Sequence, residues 1–125
     1  MPTTREIGRR AEDLAAAWLE GRGYVVLARN HATRQGEVDL VCRAEGVLCF
    51  VEVRSRAGAS HGAPEETVDR RKALRVVAAA TDWARRHGAL DDDIRFDVLA
   101  MTGSGSEPAF QLFEGAFDAS GEAPG

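Results

Sequence analysis

The spacing of apolar residues near the start of the chain predicts an amphipathic helix over residues 4–20. Its apolar positions recur every three or four residues, as on one face of a helix: Ile7, Ala11, Leu14, Ala15 and Trp18. Thr4 is the expected N-cap, because a threonine oxygen there can accept a main-chain N–H of the first turn. Gly21 or Gly23 is expected to end the helix.

A second apolar stripe predicts a helix over residues 67–87. Its members follow the same helical spacing: Ala73, Val77, Ala80 and Ala84. Thr67 is the expected N-cap and Gly88 the expected stop. The glycine-rich run at 55–65, before this helix, is expected to be a mobile loop.

Short apolar or alternating runs fill the rest of the chain and predict strands. The predicted strands cover 24–29, the two arms of a hairpin over 37–54, 94–101 and 109–113. The order αβββαββ predicts an α/β fold, a mixed sheet with helices packed against it. Residues 1–117 are expected to form one domain, and residues 118–125 a disordered tail.

Glu45-Gly46 is the expected two-residue turn of the hairpin, and that choice fixes the register of its two arms. One face then carries only apolar pairs and is expected to be the core side: Val38 with Val53, Leu40 with Val51, and Cys42 with Cys49. The other face carries the charged pairs: Glu37 with Arg54, Asp39 with Glu52, and between them and the turn Val41 with Phe50. A slip of one residue would break both faces.

Asp39 opposite Glu52 is unfavourable for stability, because like charges directly across two strands repel. The pair is explained if a divalent cation binds between the carboxylates, and oxygen ligands alone favour Mg²⁺ or Mn²⁺. The main-chain carbonyl of Val53 is a further expected ligand, and Arg54 is expected to hold a phosphate or its developing charge. The alternative is a solvated hairpin face with a Glu37–Arg54 ion pair.

Glu12 lies at the edge of the apolar stripe of the first helix, away from the other acids of that helix. An acid beside a buried stripe needs a partner. Either Glu12 pairs with Arg9 or another arginine, or it is a third carboxylate of the metal site.

Charge is distributed unevenly along the chain, whose overall net charge is −4. Residues 1–90 have 15 basic and 12 acidic side chains, whereas residues 91–125 have one basic and eight acidic side chains. The body of the protein is therefore basic enough to bind nucleic acid, although the overall sign argues against it. The expected phosphate contacts are Arg34, Arg56, Arg70, Arg71, Lys72 and Arg75. A solvated basic helix face is the alternative for the last four.

The blocks "GRRAEDLAAAWLEGRGYVVLARN", "GEVDLV", "FVEVRSR" and "RFDVLA" resemble the YraN family of small bacterial proteins. That family belongs to the restriction-endonuclease-like, or PD-(D/E)xK, superfamily and is similar to archaeal Holliday-junction resolvases. The resemblance, over about residues 5–117, implies a metal-dependent phosphodiesterase site. It implies Glu12, Asp39 and Glu52 as acids, Glu37 as an assisting residue, and a two-fold dimer.

Arg54 departs from the pattern, since members of the family often carry lysine at that position. Arginine keeps its proton and stabilises charge only. Lys72, the sole lysine, is a candidate to supply the charge that Arg54 cannot. Three functions follow: an Mg²⁺- or Mn²⁺-dependent endonuclease acting on structured or branched DNA, a nucleic-acid-binding module without catalysis, or, less favoured, a protein-interaction role for the acidic C-terminus.

The sequence shows neither an export signal nor an apolar run long enough to span a membrane, and the expected location is the cytoplasm. Two cysteines do not make a disulfide framework, and Cys42 and Cys49 are expected to be reduced core residues.

Overall fold

The computed structural model describes residues 3–56, 68–103 and 107–124. Its elements follow the predicted order αβββαββ, and the α/β fold class is confirmed. They are α1 (Thr4–Gly21), β1 (Val25–Ala32), β2 (Glu37–Ala44), β3 (Val47–Arg56), α2 (Arg70–Arg86), β4 (Ile94–Thr102) and β5 (Ala109–Phe117). Within these ranges, neither helix combines the length and the apolar character needed to cross a bilayer.

The five strands form one mixed sheet in the order β1-β2-β3-β4-β5. Neighbouring strands are antiparallel except β3 and β4, which are parallel. Parallel neighbours need a crossover connection, and α2 lies in the segment that connects them. The crossover therefore brings the start of α2 back toward the sheet after β3.

Both faces of the β2–β3 hairpin are buried, which corrects the expectation that only one face is the core side. Because side chains alternate along a strand, one set packs under α1 and the other under α2. The α1 side contains Leu40, Cys42, Cys49, Val51, Ala15, Ala16 and Leu19. The α2 side contains Val41, Leu48, Phe50, Val76, Ala80 and Trp83. The sheet is thus the middle layer of three.

The hairpin register is confirmed from the turn as far as Leu40 and Val51. Glu45 and Gly46 both have positive φ, as a tight two-residue hairpin turn requires. The pairing of β2 with β3 does not extend beyond Leu40, so the strict alternation of faces fails there. Val38, predicted on the face of Leu40, packs instead in the α2 cluster.

Both helices are capped by residues other than those expected. The hydroxyl of Thr3, one residue before Thr4, accepts the main-chain N–H of Glu6 at 3.1 Å. The carboxylate of Asp69 caps α2 by accepting the N–H of Lys72 at 2.8 Å. A free carboxylate at a helix N-terminus also complements the helix dipole. The proposed cap Thr67 lies outside the described residues, as does most of the 55–65 loop.

Cys42 and Cys49 face each other across the hairpin as predicted, and both are free and buried. Burial raises the pKa of the Cys42 thiol to about 12 and that of Cys49 to about 11. Both are therefore neutral, inert core groups.

Asp97 is fully buried and anchors a polar network between β4, β5 and the end of α1. Arg95 donates to both of its oxygens at 2.8 and 3.0 Å. Tyr24 donates to one oxygen at 3.3 Å, and the N–H of Gly115 donates to the other at 3.0 Å. All of these contacts leave Asp97 satisfied and place it in a structural role.

The segment after Phe117, expected to be a disordered tail, folds against α2 in the described residues. Asp118 accepts the main-chain N–H groups of Ser120 and Glu122 at 2.9 and 3.0 Å. Arg70 binds the carbonyl of Ser120 at 3.2 Å and the carboxylate of Glu122 at 3.0 Å. The prediction of a tail was based on the small, polar and acidic residues of this segment, and such a composition does not show which local hydrogen bonds they form.

Candidate metal and nucleic-acid site

Asp39 and Glu52 meet at the end of the hairpin, where the β2–β3 ladder has stopped. Asp39 accepts the main-chain N–H of Val53 at 2.8 Å, and its carboxyl lies close enough to Glu52 for the charge of Glu52 to raise its pKa. The Asp39 side chain thus takes an N–H that the predicted ladder would have given to the backbone of β2. Because this N–H is taken by a side chain, the main-chain pairing of β2 with β3 ends at Leu40 and Val51. The three predicted pairs beyond that point therefore do not form, although the two carboxylates still lie close together: Asp39–Glu52, Val38–Val53 and Glu37–Arg54.

The two carboxylates are removed from water. Glu52 is 3% exposed, and Asp39 is partly buried. Burial, together with the neighbouring charge of Glu52, raises the pKa of Asp39 to about 7. Two carboxylates that share a buried place repel each other, so one of them takes up a proton more readily. Near neutral pH the pair therefore favours either a proton or a cation between its oxygens.

Two cations reach the same oxygen of Glu52. The ammonium of Lys72 lies 3.1 Å from Glu52 Oε2, and a guanidinium nitrogen of Arg54 lies 3.8 Å from it. The sequence predicts Lys72 as a phosphate contact and as a candidate to supply the charge that the family lysine would carry at position 54. The structure places the Lys72 ammonium on Glu52, two residues before Arg54.

Lys72 reaches Glu52 because α2 begins close to the hairpin. Asp69 fixes the first turn of α2 through the N–H of Lys72. One turn later, the carbonyl of Arg75 lies against Gly36, at a place where any Cβ on Gly36 would overlap Arg75 main-chain atoms. Glycine is required here by close backbone approach, and that approach aligns the helix start with the carboxylates.

Glu12 of α1 lies near the same group of acids. Its carboxylate accepts a hydrogen bond from the amide of Asn30 at 2.8 Å. Burial raises the pKa of Glu12; the Asn30 hydrogen bond opposes this, and the charges of Asp39 and Glu37 add to it. Glu12 therefore lies within electrostatic range of Asp39 and Glu37. Glu37 itself is exposed.

Asn30 lies outside the strands predicted from the sequence, and its contact with Glu12 was not predicted. It lies within β1 and has a φ of 52°, in the left-handed region. Asparagine enters that region more readily than most residues. The asparagine at position 30 is a signal in the sequence for a left-handed backbone, but it does not show that its side chain binds Glu12.

The remaining predicted phosphate contacts whose side chains the structure describes form no ion pair with Asp39 or Glu52. Arg34, Arg71 and Arg75 are exposed. Arg70 is bound to the C-terminal segment through Glu122. Arg56 ends β3, and its side chain lies outside the described residues.

The donor set is compatible with a hard divalent cation held by few protein groups. In the parts of the chain that the structure describes, no three acidic, cysteine or histidine side chains converge as a preformed metal centre. Mg²⁺ nevertheless is commonly held by one or two carboxylates, with waters and substrate phosphate completing its shell. Asp39 and Glu52 supply two adjacent carboxylates, and the Val53 carbonyl stays a prediction.

The fold and this group of acids define a small α/β protein of restriction-endonuclease-like architecture. The chain belongs to the family described as "Uncharacterised protein family UPF0102", whose model matches residues 11–101. The predicted YraN relationship is thereby confirmed. Membership of this family does not identify a reaction, so the reaction has to be argued from the residues of the site.

Relatives cover most of the chain. A UPF0102 protein from Anaeromyxobacter sp. (strain Fw109-5) is 58% identical over 118 residues, covering 94% of this chain and 89% of the relative. One from Anaeromyxobacter dehalogenans (strain 2CP-C) is 59% identical over 115 residues, covering 92% and 86%. A more distant one from Leifsonia xyli subsp. xyli is 40% identical over 96 residues, covering 77% and 81%.

Proposed function

We propose that the protein is a metal-dependent endonuclease that hydrolyses phosphodiester bonds in structured or branched DNA. The observation that carries the proposal is the pair Asp39 and Glu52, two neighbouring carboxylates on interior strands, with Lys72 and Arg54 on one Glu52 oxygen. A pair of like charges on adjacent strands lowers stability. This loss of stability is explained if the function of the protein requires both carboxylates.

Asp39 and Glu52 would hold Mg²⁺ or Mn²⁺, with Glu12 as a third carboxylate nearby. Such an ion activates water and neutralises charge on a phosphate. The N–H of Val53 holds Asp39 in one orientation, and Lys72 and Arg54 hold Glu52. The protein's contribution is therefore a fixed set of oxygens whose geometry does not have to be reorganised when substrate binds.

Lys72 offers the compact ammonium that the Arg54 position lacks. Its three N–H donors can contact Glu52 and still reach a water or a phosphate oxygen. Arg54 is always charged and suits a phosphate with its planar donors. In this proposal Lys72 orients the attacking water and Arg54 stabilises the charge that develops on the phosphate.

The test is cleavage of a panel of DNA junctions, flaps and single strands, with and without Mn²⁺. We expect Mn²⁺-dependent cleavage that Asp39→Ala and Glu52→Ala abolish. Lys72→Ala should reduce it by at least about 100-fold, the usual size of a lost catalytic proton-transfer or orienting group. Arg85→Ala is the matched control, since Arg85 is an exposed cation at the far end of the same helix. Cleavage that survives Asp39→Ala would belong to a contaminant.

The second candidate is a nucleic-acid-binding module that has lost catalysis, and Arg54 in the lysine position favours it. This candidate predicts binding that weakens steeply with salt, as phosphate contacts do, and no cleavage by either the parent or Arg54→Lys. A two-fold dimer and a cytoplasmic location stay predictions. Sedimentation of the purified protein tests the dimer.

A further inference from the structure

We propose that Asn30 is a positioning residue that holds the carboxylate of Glu12 at the level of Asp39 in the sheet, where it serves a cation bound by Asp39 and Glu52 as a third carboxylate. The inference rests on the proposed function and goes beyond it, because it adds a side chain that neither the sequence pattern nor the family resemblance assigns. Asn30 Nδ2 donates to Glu12 Oε1 at 2.8 Å, across 18 residues of sequence. One oxygen of Glu12 is thus held, and the other stays available to a ligand.

The position of Asn30 in the sheet places this contact next to the site. Its neighbours Arg29 and His31 pair with Leu40 and Val38 of β2, so Asn30 lies at the level of Asp39. A Glu12 carboxylate held by Asn30 is therefore brought to the same level of the sheet.

The backbone at Asn30 supports a specific role. Among the described residues, only Asn30 and Glu45 combine a side chain with a positive φ. The conformation of Glu45 is required by the two-residue turn. Asn30 lies inside a paired strand, where no turn demands a φ of 52°. A residue held in that region costs free energy and is a recognised marker of functional sites.

The chemistry of the amide also fits the role. Glu12 is partly exposed, so without a partner its carboxylate would turn toward water. An amide donor holds it and leaves its negative charge intact, whereas a lysine or arginine would neutralise the charge that a cation needs. The adjacent Arg29 is engaged by Asp13, the residue after Glu12.

The competing explanation is that Asn30 only ties α1 to β1. Asn30→Gly separates the two, because glycine adopts a φ of 52° without strain and removes only the amide. Glu45→Gly is the matched control, since it makes the same kind of change at the distant turn. Glu12→Gln tests the partner, because its amide oxygen can still accept from Asn30 while its charge is lost.

The experiment is calorimetric titration of the full chain with Mn²⁺ in the absence of nucleic acid, beside thermal unfolding of each variant. Removing a group that orients a metal ligand typically weakens metal binding 10- to 100-fold. We expect Asn30→Gly to weaken Mn²⁺ binding about tenfold, Glu45→Gly to leave it unchanged, and Asn30→Gly to have no further effect in the Glu12→Gln background. Asn30→Gly and Glu45→Gly should melt at similar temperatures.

Two results would overturn the inference. If the parent binds Mn²⁺ in a way that Asp39→Ala abolishes, and Asn30→Gly binds equally well or weakens binding additively with Glu12→Gln, then Asn30 is only a structural tie and the metal site stands. If the parent does not bind Mn²⁺, or its binding survives Asp39→Ala, then the proposed metal site fails and the role of Asn30 fails with it.

Discussion

Replacing Asp39 by asparagine should make the metal-free protein more stable at pH 8. The asparagine oxygen can still accept the N–H of Val53, and its amide group can donate to Glu52, so the hydrogen bonds of the site are kept. What disappears is the charge beside Glu52. The substitution therefore isolates the repulsion that we attribute to the function of the site.

The size of the effect follows from the pKa of Asp39, which rises from 3.8 to about 7 on folding. A change of one in pKa corresponds to about 1.4 kcal/mol, so the upper limit is about 4 kcal/mol. Because the pair can relax and admit water, we expect roughly half of that limit, about 2 kcal/mol.

The sign follows from proton binding. Between pH 3.8 and about 7 the folded state holds a proton on Asp39 that the unfolded state has released. The free energy of unfolding of the parent therefore falls as pH rises through this window and is constant above it, as far as Asp39 is concerned. In Asp39→Asn this contribution is absent, so its advantage is largest above pH 7 and vanishes near pH 4.

The assay is urea unfolding of both proteins from pH 4 to 8.5 with a chelator present, followed by the fluorescence of Trp18 and Trp83. Adding Mg²⁺ at pH 8 should then stabilise the parent and leave Asp39→Asn unchanged. The reasoning is refuted if Asp39→Asn is no more stable than the parent at pH 8, or if the difference does not shrink as the pH falls.

Three further substitutions test the scaffold. Gly36→Ala should lower the free energy of unfolding in urea by at least about 2 kcal/mol, because its Cβ would overlap the Arg75 carbonyl and neither backbone segment can move away cheaply. Asp97→Ala should lower it by about 3–5 kcal/mol, since Arg95 would lose its buried partner; a loss below about 1 kcal/mol would show that water replaces the carboxylate. Asp69→Ala should reduce stability in thermal unfolding by about 1 kcal/mol through loss of the α2 cap, and an unchanged melting temperature would contradict the capping role.

Local rules predicted the part of the hairpin that is close to its turn. Glu45-Gly46 set the pairs as far as Leu40 and Val51, because a tight turn and two apolar faces leave one register. Beyond Leu40 the geometry depends on Asp39 taking the N–H of Val53. A side chain that replaces a main-chain bond is a tertiary choice that pattern alone does not contain.

The acids of the site were also predictable, because an unfavourable charge pair is visible once the register is known. The positions of Lys72 and Asn30 were not. Lys72 reaches Glu52 only through the close approach of Gly36 to α2, and Asn30 reaches Glu12 only through a left-handed backbone. Both depend on how separate elements meet, and periodicity within one element carries no information about that.

The first turn of α2 has two neighbours, the carboxylate pair and the C-terminal segment. Lys72 contacts Glu52, whereas Arg70 holds Glu122 and Gly121 packs on Arg70 and Leu74. Any coupling between these two neighbours through the shared turn would be reciprocal. Amide exchange at Gly121, measured with and without Mg²⁺, tests whether a cation at the carboxylates also orders the C-terminal segment.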